Sequence, residues 1–263
     1  SLSNEDLAAQ FPEWSVEKIA EKTGIRNRRI AGSDEFSSDL AVGAGAALFE
    51  RTGVAASEIE YLIVCTQSPD FYLPSTACIV QDQLGLPTTA GATDITLGCS
   101  GYIYALGLAK GLIESGQVRN VLVITADTYT KLLNPHDKSV RTIFGDGASA
   151  TLVVDDGDSQ SIRGITYGTN GSGAKSLMVP RGGLRAGEEM QPRAAAVERN
   201  LEESGYDLYM DGPAIFSFTL DVVPAAVESV LEKAELAFDD VDLFVFHQAN
   251  SFMLEHLRKK LKI

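Results

Sequence analysis

The chain has 263 residues, 44% hydrophobic and 22% charged, enough for one large or two medium domains with a proper core. Its formal net charge of −14 excludes nucleic acid and an anionic membrane surface as principal partners, while leaving open any ligand that needs only a local basic patch. Three cysteines make no disulfide framework, the N-terminal stretch has no basic segment followed by an apolar one, and no membrane span is expected, so the reducing cytoplasm is the expected location.

The hydrophobic periods alternate between helix and strand, which predicts an α/β protein. In chain order they predict a helix over Asp39–Arg51, a strand over Tyr61–Cys65 and a helix over Ser75–Leu84. A short strand (Ala92–Thr96), a long apolar helix (Ser100–Ser115) and strands over Asn120–Thr125, Ala148–Val154 and Ile162–Tyr167 follow. The C-terminal part reads as a helix over Ile215–Ala234, a strand over Asp242–Phe246 and a helix over Ser251–Lys260. Several of the strands are continuous apolar runs, as strands covered on both faces should be. Segment Arg181–Gly205 is polar and reads as an exposed excursion.

The chain also resembles itself. Ser57–Val64 is echoed by Asp239–Phe246, each after an apolar helix and before a polar turn. The helices that follow close on Leu84-Gly85-Leu86 and Leu261-Lys262-Ile263. This predicts a duplicated fold, with one half over residues 1–158 and the other over 159–263. In that register each half lacks elements its counterpart has, and the expectation is a fold cut at both ends.

Three features carry chemistry. Cys99 sits between a strand and a helix, where free N–H groups and the helix dipole favour a thiolate nucleophile; a buried inert cysteine is the plainer reading. His247 follows the Asp242–Phe246 strand, at the strand end where open α/β sheets place their sites, and could donate to a developing oxyanion or move a proton. A loop histidine bonded to a backbone carbonyl is the commoner case for a lone histidine. Gly145-Asp146-Gly147 permits a tight turn or a close backbone approach. No His/Cys cluster has metal-ligand spacing. Two basic groups, Arg26/Arg28/Arg29 and Arg258/Lys259/Lys260/Lys262, read first as solvated faces.

Six segments, in order, carry a resemblance. They are Glu13-Trp14, Thr23-Gly24-Ile25-Arg26, Pro74-Ser75-Thr76-Ala77-Cys78, Gly98-Cys99-Ser100-Gly101-Tyr102, Ile143-Phe144-Gly145-Asp146-Gly147-Ala148 and His247-Gln248-Ala249-Asn250. Together they resemble the ketoacyl-acyl-carrier-protein synthase III branch of the thiolase-fold condensing enzymes. The resemblance implies a thiolase-like fold of two related α/β halves, layered helix–sheet–helix–sheet–helix. It implies acyl loading from acyl-CoA onto Cys99, then decarboxylative condensation with a malonyl thioester, with His247 binding that thioester's carbonyl.

It also implies CoA contacts at Trp14, Arg26 and Lys138, with Arg141 close by in an uncertain register. Leu73 matches the position that caps the partner's acyl pocket across a homodimer interface. A basic pair for carrier docking is retained at Lys259 and Lys260, although Phe252 stands where the family has a basic residue. No tightly bound cofactor is implied, only CoA thioesters as substrates, with an acyl carrier protein or CoA carrying the extender. The family's catalytic asparagine, about 30 residues after the histidine, would lie beyond Ile263 and is not Asn250. The rivals are an acyltransferase that omits decarboxylation, a non-catalytic partner subunit and a purely structural fragment.

Overall fold

The computed structural model describes residues 1–157, 161–184 and 206–263. The expected excursion Arg181–Gly205 lies, from residue 185 onward, outside the described residues, and so does the expected boundary at 158/159.

The elements run β1 (Leu2–Ser3), α1 (Asn4–Gln10), α2 (Val16–Thr23), β2 (Asn27–Arg28), α3 (Ser37–Thr52), β3 (Tyr61–Cys65), α4 (Thr76–Gln83) and β4 (Gly91–Ile95). They continue with α5 (Gly101–Glu114), β5 (Asn120–Asp127), α6 (Lys138–Arg141), β6 (Gly147–Val154), β7 (Leu177–Met178), β8 (Tyr209–Met210), α7 (Gly212–Ala234) and α8 (Ser251–Leu261). The chain divides into two units: a sheet unit of Ile30–Tyr129 with Asp146–Ile165, and a helical unit of Ser1–Arg29, Thr130–Gly145 and Thr166–Ile263.

The sheet unit is built on one mixed sheet in the order β4-β3-β5-β6, with β4, β3 and β5 parallel and β6 antiparallel to β5. Alternate residues of the central strands go to opposite faces. Leu62, Val64, Leu122, Ile124 and Ala126 pack with Ala41 of α3 and with Ala77 and Val80 of α4. Ile63, Val121 and Val123 pack with Ala105 and Ala109 of α5. Covering both faces is why these strands read as apolar runs rather than alternations. A polar residue inside β4 has a separate task. Asp94 accepts from the backbone N–H of Thr76 and Ala77, both at 2.7 Å, and so caps α4, whose own N-cap Ser75 makes no such bond.

The helical unit packs Leu7, Phe11 and Ile19 of α1 and α2 into one cluster, with Trp14 against it. Arg28, expected on a solvated basic face, is instead buried. Its Nε donates to the Thr142 carbonyl at 3.0 Å and its Nη1 donates to Asn4. Burial lowers its pKa.

In α7, Pro224 has no N–H to give to the Leu220 carbonyl. The Lys260 ammonium from α8 takes its place at 2.6 Å. One window of α7, mean hydropathy 1.6 and none of it buried, makes it long and apolar enough to cross a membrane by length and composition. That corrects the expectation that no segment reaches this length. Its Phe216 packs on Phe252 and His256 of α8, with centroids 5.4 and 5.3 Å away.

Two expected strands are not strands. Ile162–Tyr167 and Asp242–Phe246 pair with no neighbour among the described residues, and an apolar pattern cannot supply a ladder partner. The second segment keeps a twofold alternation. Leu243 and Val245 are 75% and 76% exposed, while Phe244 stacks on Phe238 and Phe246 at 4.9 and 6.1 Å.

The internal echo extends to backbone geometry. α3 and α7 end on left-handed residues Gly53 and Glu235. Short 3-10 turns follow at Ala56–Glu58 and Phe238–Asp240. Each turn is closed by a carboxylate on the preceding N–H: Glu58 to Ala55 at 2.9 Å and Asp240 to Ala237 at 2.8 Å. Gly85 and Lys262, also left-handed, mark the second pair of helix ends.

Candidate active site

The parallel strands β3, β4 and β5 finish together, Cys65 lying opposite Ile95 and Thr125. This carboxyl edge is where an open α/β sheet presents its chemistry. From β4 the chain turns through Thr96–Ser100 into α5, and Cys99 lies one residue before the N-cap Ser100. The turn is closed by the Gly101 N–H donating to the Gly98 carbonyl at 2.8 Å. Beneath it the Cys65 thiol donates to the Leu97 carbonyl at 3.1 Å.

Gly101 is required by this packing, because a Cβ there would stand 2.2 Å from Cys65 Sγ. Gly101→Ala is therefore expected to destabilise the protein by about 1–3 kcal/mol through overpacking. It should also slow reactions at Cys99. A lowered denaturant midpoint together with slower thiol labelling is the check.

The two thiols differ in kind. Burial pushes Cys65 up to about 11, so it stays protonated. Cys99 is solvent-accessible, yet enough protein surrounds its sulfur that desolvation raises its pKa too, with a smaller contribution from the Asp127 carboxylate. The expected easing of ionisation at the helix start is thus outweighed. The sulfur rests as a thiol at neutral pH and must lose its proton on reaction.

Asp127 ends β5 and was not singled out from the sequence, although a carboxylate closing a parallel strand is a positional signal in its own right. The Gly-Asp-Gly segment starts β6, and Asp146 accepts from the Ala31 N–H at 2.7 Å. Leu73, with Phe71 and Tyr72, is strongly exposed on a loop whose Asp70 is pinned to Ser38 at 2.6 Å.

The remaining expected site residues belong to the helical unit. Trp14, Lys22, Thr23, Ser139, Thr142, Ile143, Asn250 and Phe252 line a cavity of about 260 Å³. The ammonium groups of Lys22, Lys18 and Lys138 stand 5.2, 5.5 and 5.8 Å from the Trp14 ring centroid. Lys138 also pairs with Glu13 at 2.7 Å. The structure therefore brings Trp14 and Lys138 together and adds Lys18 and Lys22, four and eight residues after the tryptophan on α2.

Arg141 lies on α6, its buried Nε without a hydrogen-bond partner among the described residues. Arg26 is exposed just before β2 and does not line the cavity. His247 follows the extended Asp242–Phe246 segment, and desolvation holds its imidazole below the usual value. Asn250 of the same motif caps α8, accepting from the Met253 N–H at 2.8 Å. Lys259 and Lys260 close α8, engaged by Glu255 at 3.4 Å and by the Leu220 carbonyl. Among the described residues no His/Cys/Asp/Glu group could hold a metal ion.

A strand–cysteine–helix elbow at the carboxyl edge of a doubly covered α/β sheet is an arrangement compatible with a thiolase-fold acyltransferase, and similarity to known proteins decides the class. Residues 93–171 match the family model described as 3-oxoacyl-[acyl-carrier-protein] synthase III. A beta-ketoacyl-[acyl-carrier-protein] synthase III of Caldanaerobacter subterraneus subsp. tengcongensis is 40% identical over 262 residues, all of this chain and 76% of the relative.

Among solved structures, a 3-oxoacyl-(acyl-carrier-protein) synthase III is 47% identical with a TM-score of 0.89, over all of this chain and 78% of that one. The priming beta-ketosynthase of the R1128 polyketide pathway is 31% identical with a TM-score of 0.81, over all of this chain and 74% of that one. The chain belongs to the 3-oxoacyl-[acyl-carrier-protein] synthase III family and is a condensing acyltransferase.

Proposed function

We propose that the protein takes an acyl group from an acyl-CoA onto Cys99 and condenses it with a malonyl thioester. In the first step Cys99 Sγ attacks the acyl carbonyl, a thioester forms on the enzyme, and CoA leaves as its thiol with the proton Cys99 gives up. In the second, the malonyl thioester loses carbon dioxide and its α-carbon attacks the Cys99 thioester. Cys99 departs as sulfur anion and a 3-ketoacyl thioester is released. The observation that carries this reading is the Cys99 elbow: an accessible sulfur at the end of three parallel strands, with the other nearby thiol, Cys65, held inert.

The Trp14 cavity supports the CoA part of the reading. An indole face edged by Lys18, Lys22 and Lys138 suits a ring carrying phosphates. Arg141 on α6, whose buried Nε has no hydrogen-bond partner among the described residues, and the exposed Arg26 are assigned to the same ligand. Lys259 and Lys260 are assigned to carrier docking in a reduced role, since each already has a partner in the chain and Phe252 presents an apolar ring nearby. No tightly bound cofactor is required, and the cytoplasm is the proposed location. Incubation with an acyl-CoA and a labelled malonyl thioester should release labelled carbon dioxide together with a 3-ketoacyl product. Acyl transfer to an alcohol or amine without gas release would replace this reading with the non-decarboxylating one.

The working unit is proposed to be a homodimer in which Leu73 reaches the partner's acyl pocket. An apolar loop tip of Phe71, Tyr72 and Leu73, the last 82% exposed, is a surface that a twofold interface would bury on both copies at once. Leu73→Phe is then expected to move acyl-CoA preference toward shorter chains, at about 1 kcal/mol or more of discrimination per excluded methylene. An unchanged chain-length profile, or a monomer in sedimentation, would overturn the assignment.

A further inference from the structure

We propose that Asp127 is a positioning residue for Cys99, acting through Gln67, whose side chain walls the backbone immediately before the nucleophile. The geometry is specific. One oxygen of Asp127, Oδ1, accepts from the Gln67 N–H at 2.8 Å, the Ser68 N–H at 3.1 Å, the Ser68 hydroxyl at 2.9 Å and the Thr66 hydroxyl at 3.1 Å. Four donors converging on one atom lock the turn that follows β3. The Ser68 hydroxyl in turn accepts from the Thr128 N–H at 2.8 Å, tying the ends of β3 and β5 together.

The locked turn aims Gln67 at the nucleophile's own loop. The Tyr129 hydroxyl donates to Gln67 Oε1 and holds it. That oxygen lies 2.3 Å from where a Cβ on Gly98 would be, so the Gln67 amide is in contact with the backbone of the residue preceding Cys99. A side chain at 98 would have to push the Gln67 amide away. The chain of contact is Asp127 to Gln67 to Gly98, and Gly98 is bonded to Cys99.

A charge in this place has a second consequence. The titratable groups that bear on Asp127 are Cys65 on β3, Cys99 before α5 and Tyr129 after β5, and the carboxylate opposes ionisation of all three. Burial raises Asp127 itself, against its four donors. Positioning and charge are separable. Because every bond goes to one oxygen, Asp127→Asn keeps an acceptor there and removes only the charge, whereas Gln67→Ala keeps the charge and removes the wall.

The inference rests on Cys99 being the acyl-carrying nucleophile, and its test has an arm independent of that reading. The pH profile of Cys99 alkylation by iodoacetamide, read by intact mass and peptide mapping, is expected to shift to lower pH in Asp127→Asn. It should stay at the wild-type position in Gln67→Ala. Acyl loading from acyl-CoA is expected to fall about tenfold to a hundredfold in Gln67→Ala, because loading needs an aligned sulfur and alkylation by a small reagent does not.

An alkylation profile in Asp127→Asn that coincides with wild type or moves upward overturns the proposal. So does wild-type loading in Gln67→Ala, which also decides the matter if Asp127→Asn does not fold. If the wild-type protein takes no acyl group at all, the functional reading fails, while the alkylation profiles still judge Asp127.

Discussion

Cys99→Ala is expected to take up no acyl mass from any acyl-CoA, while the wild-type protein should gain one acyl group. Condensation in the variant should fall by more than about a thousandfold, since removing a covalent nucleophile removes the intermediate rather than weakening it. The structure makes the outcome specific to one sulfur. Cys65 is buried, donates its thiol proton to the Leu97 carbonyl, and titrates only near about 11. Cys78 is exposed but sits inside α4, its sulfur 3.1 Å from the Ser75 hydroxyl, rather than in the turn between a strand and a helix. Acyl mass persisting on either in Cys99→Ala would overturn the assignment. Loading in the wild type should also quicken as pH rises, because Cys99 rests protonated at neutral pH and its thiolate fraction grows with pH.

What the sequence disclosed and what it withheld follow one physical division. Features set by a residue's own neighbours along the chain were legible. The apolar runs of β3 and β5, the cysteine between strand and helix, and the echo of Ser57–Val64 in Asp239–Phe246 all belong here. The echo even carries through to matched left-handed helix ends at Gly53 and Glu235.

Features that depend on a distant partner were not legible. Arg28 stands among arginines that read as a solvated face, yet Asn4 and Thr142 bury it. Asp94 looks like an odd residue inside a strand until α4 arrives to be capped. Asp127 closes an apolar strand without any motif around it, and its importance appears only when the Thr66–Ser68 turn folds onto it. Lys18 and Lys22 carry helical spacing from Trp14, a signal present in the sequence but unremarkable until the ring and the ammonium groups share one side. The segment Asp242–Phe246 fails as a strand for the same reason in reverse. Its pattern is right and its ladder partner is missing among the described residues.

His247→Ala is expected to separate the two halves of the reaction. Loading of Cys99 should continue within a few-fold of wild type, while decarboxylation of the malonyl thioester falls by about a hundredfold to a thousandfold, the usual cost of one lost oxyanion donor. The argument rests on the protonation state of the ring. Although His247 is exposed at the surface, desolvation of its ring disfavours the imidazolium and holds its pKa below the ordinary histidine value, which favours the neutral side chain. A neutral imidazole has one N–H to donate and no charge to place beside a carboxylate that must leave as carbon dioxide. It can therefore stabilise the enolate as it forms without clamping the malonyl carboxylate in its ground state, which is differential binding of the transition state. The sign of the pH effect follows. Any loss of decarboxylation from protonating His247 should appear only below the ordinary imidazole range, and that acid limb should vanish in His247→Ala. His247→Gln, which keeps an N–H donor that cannot titrate, should recover part of the rate and show no such limb. Equal losses of loading and decarboxylation in His247→Ala, or an acid limb surviving in either variant, would refute this division of labour.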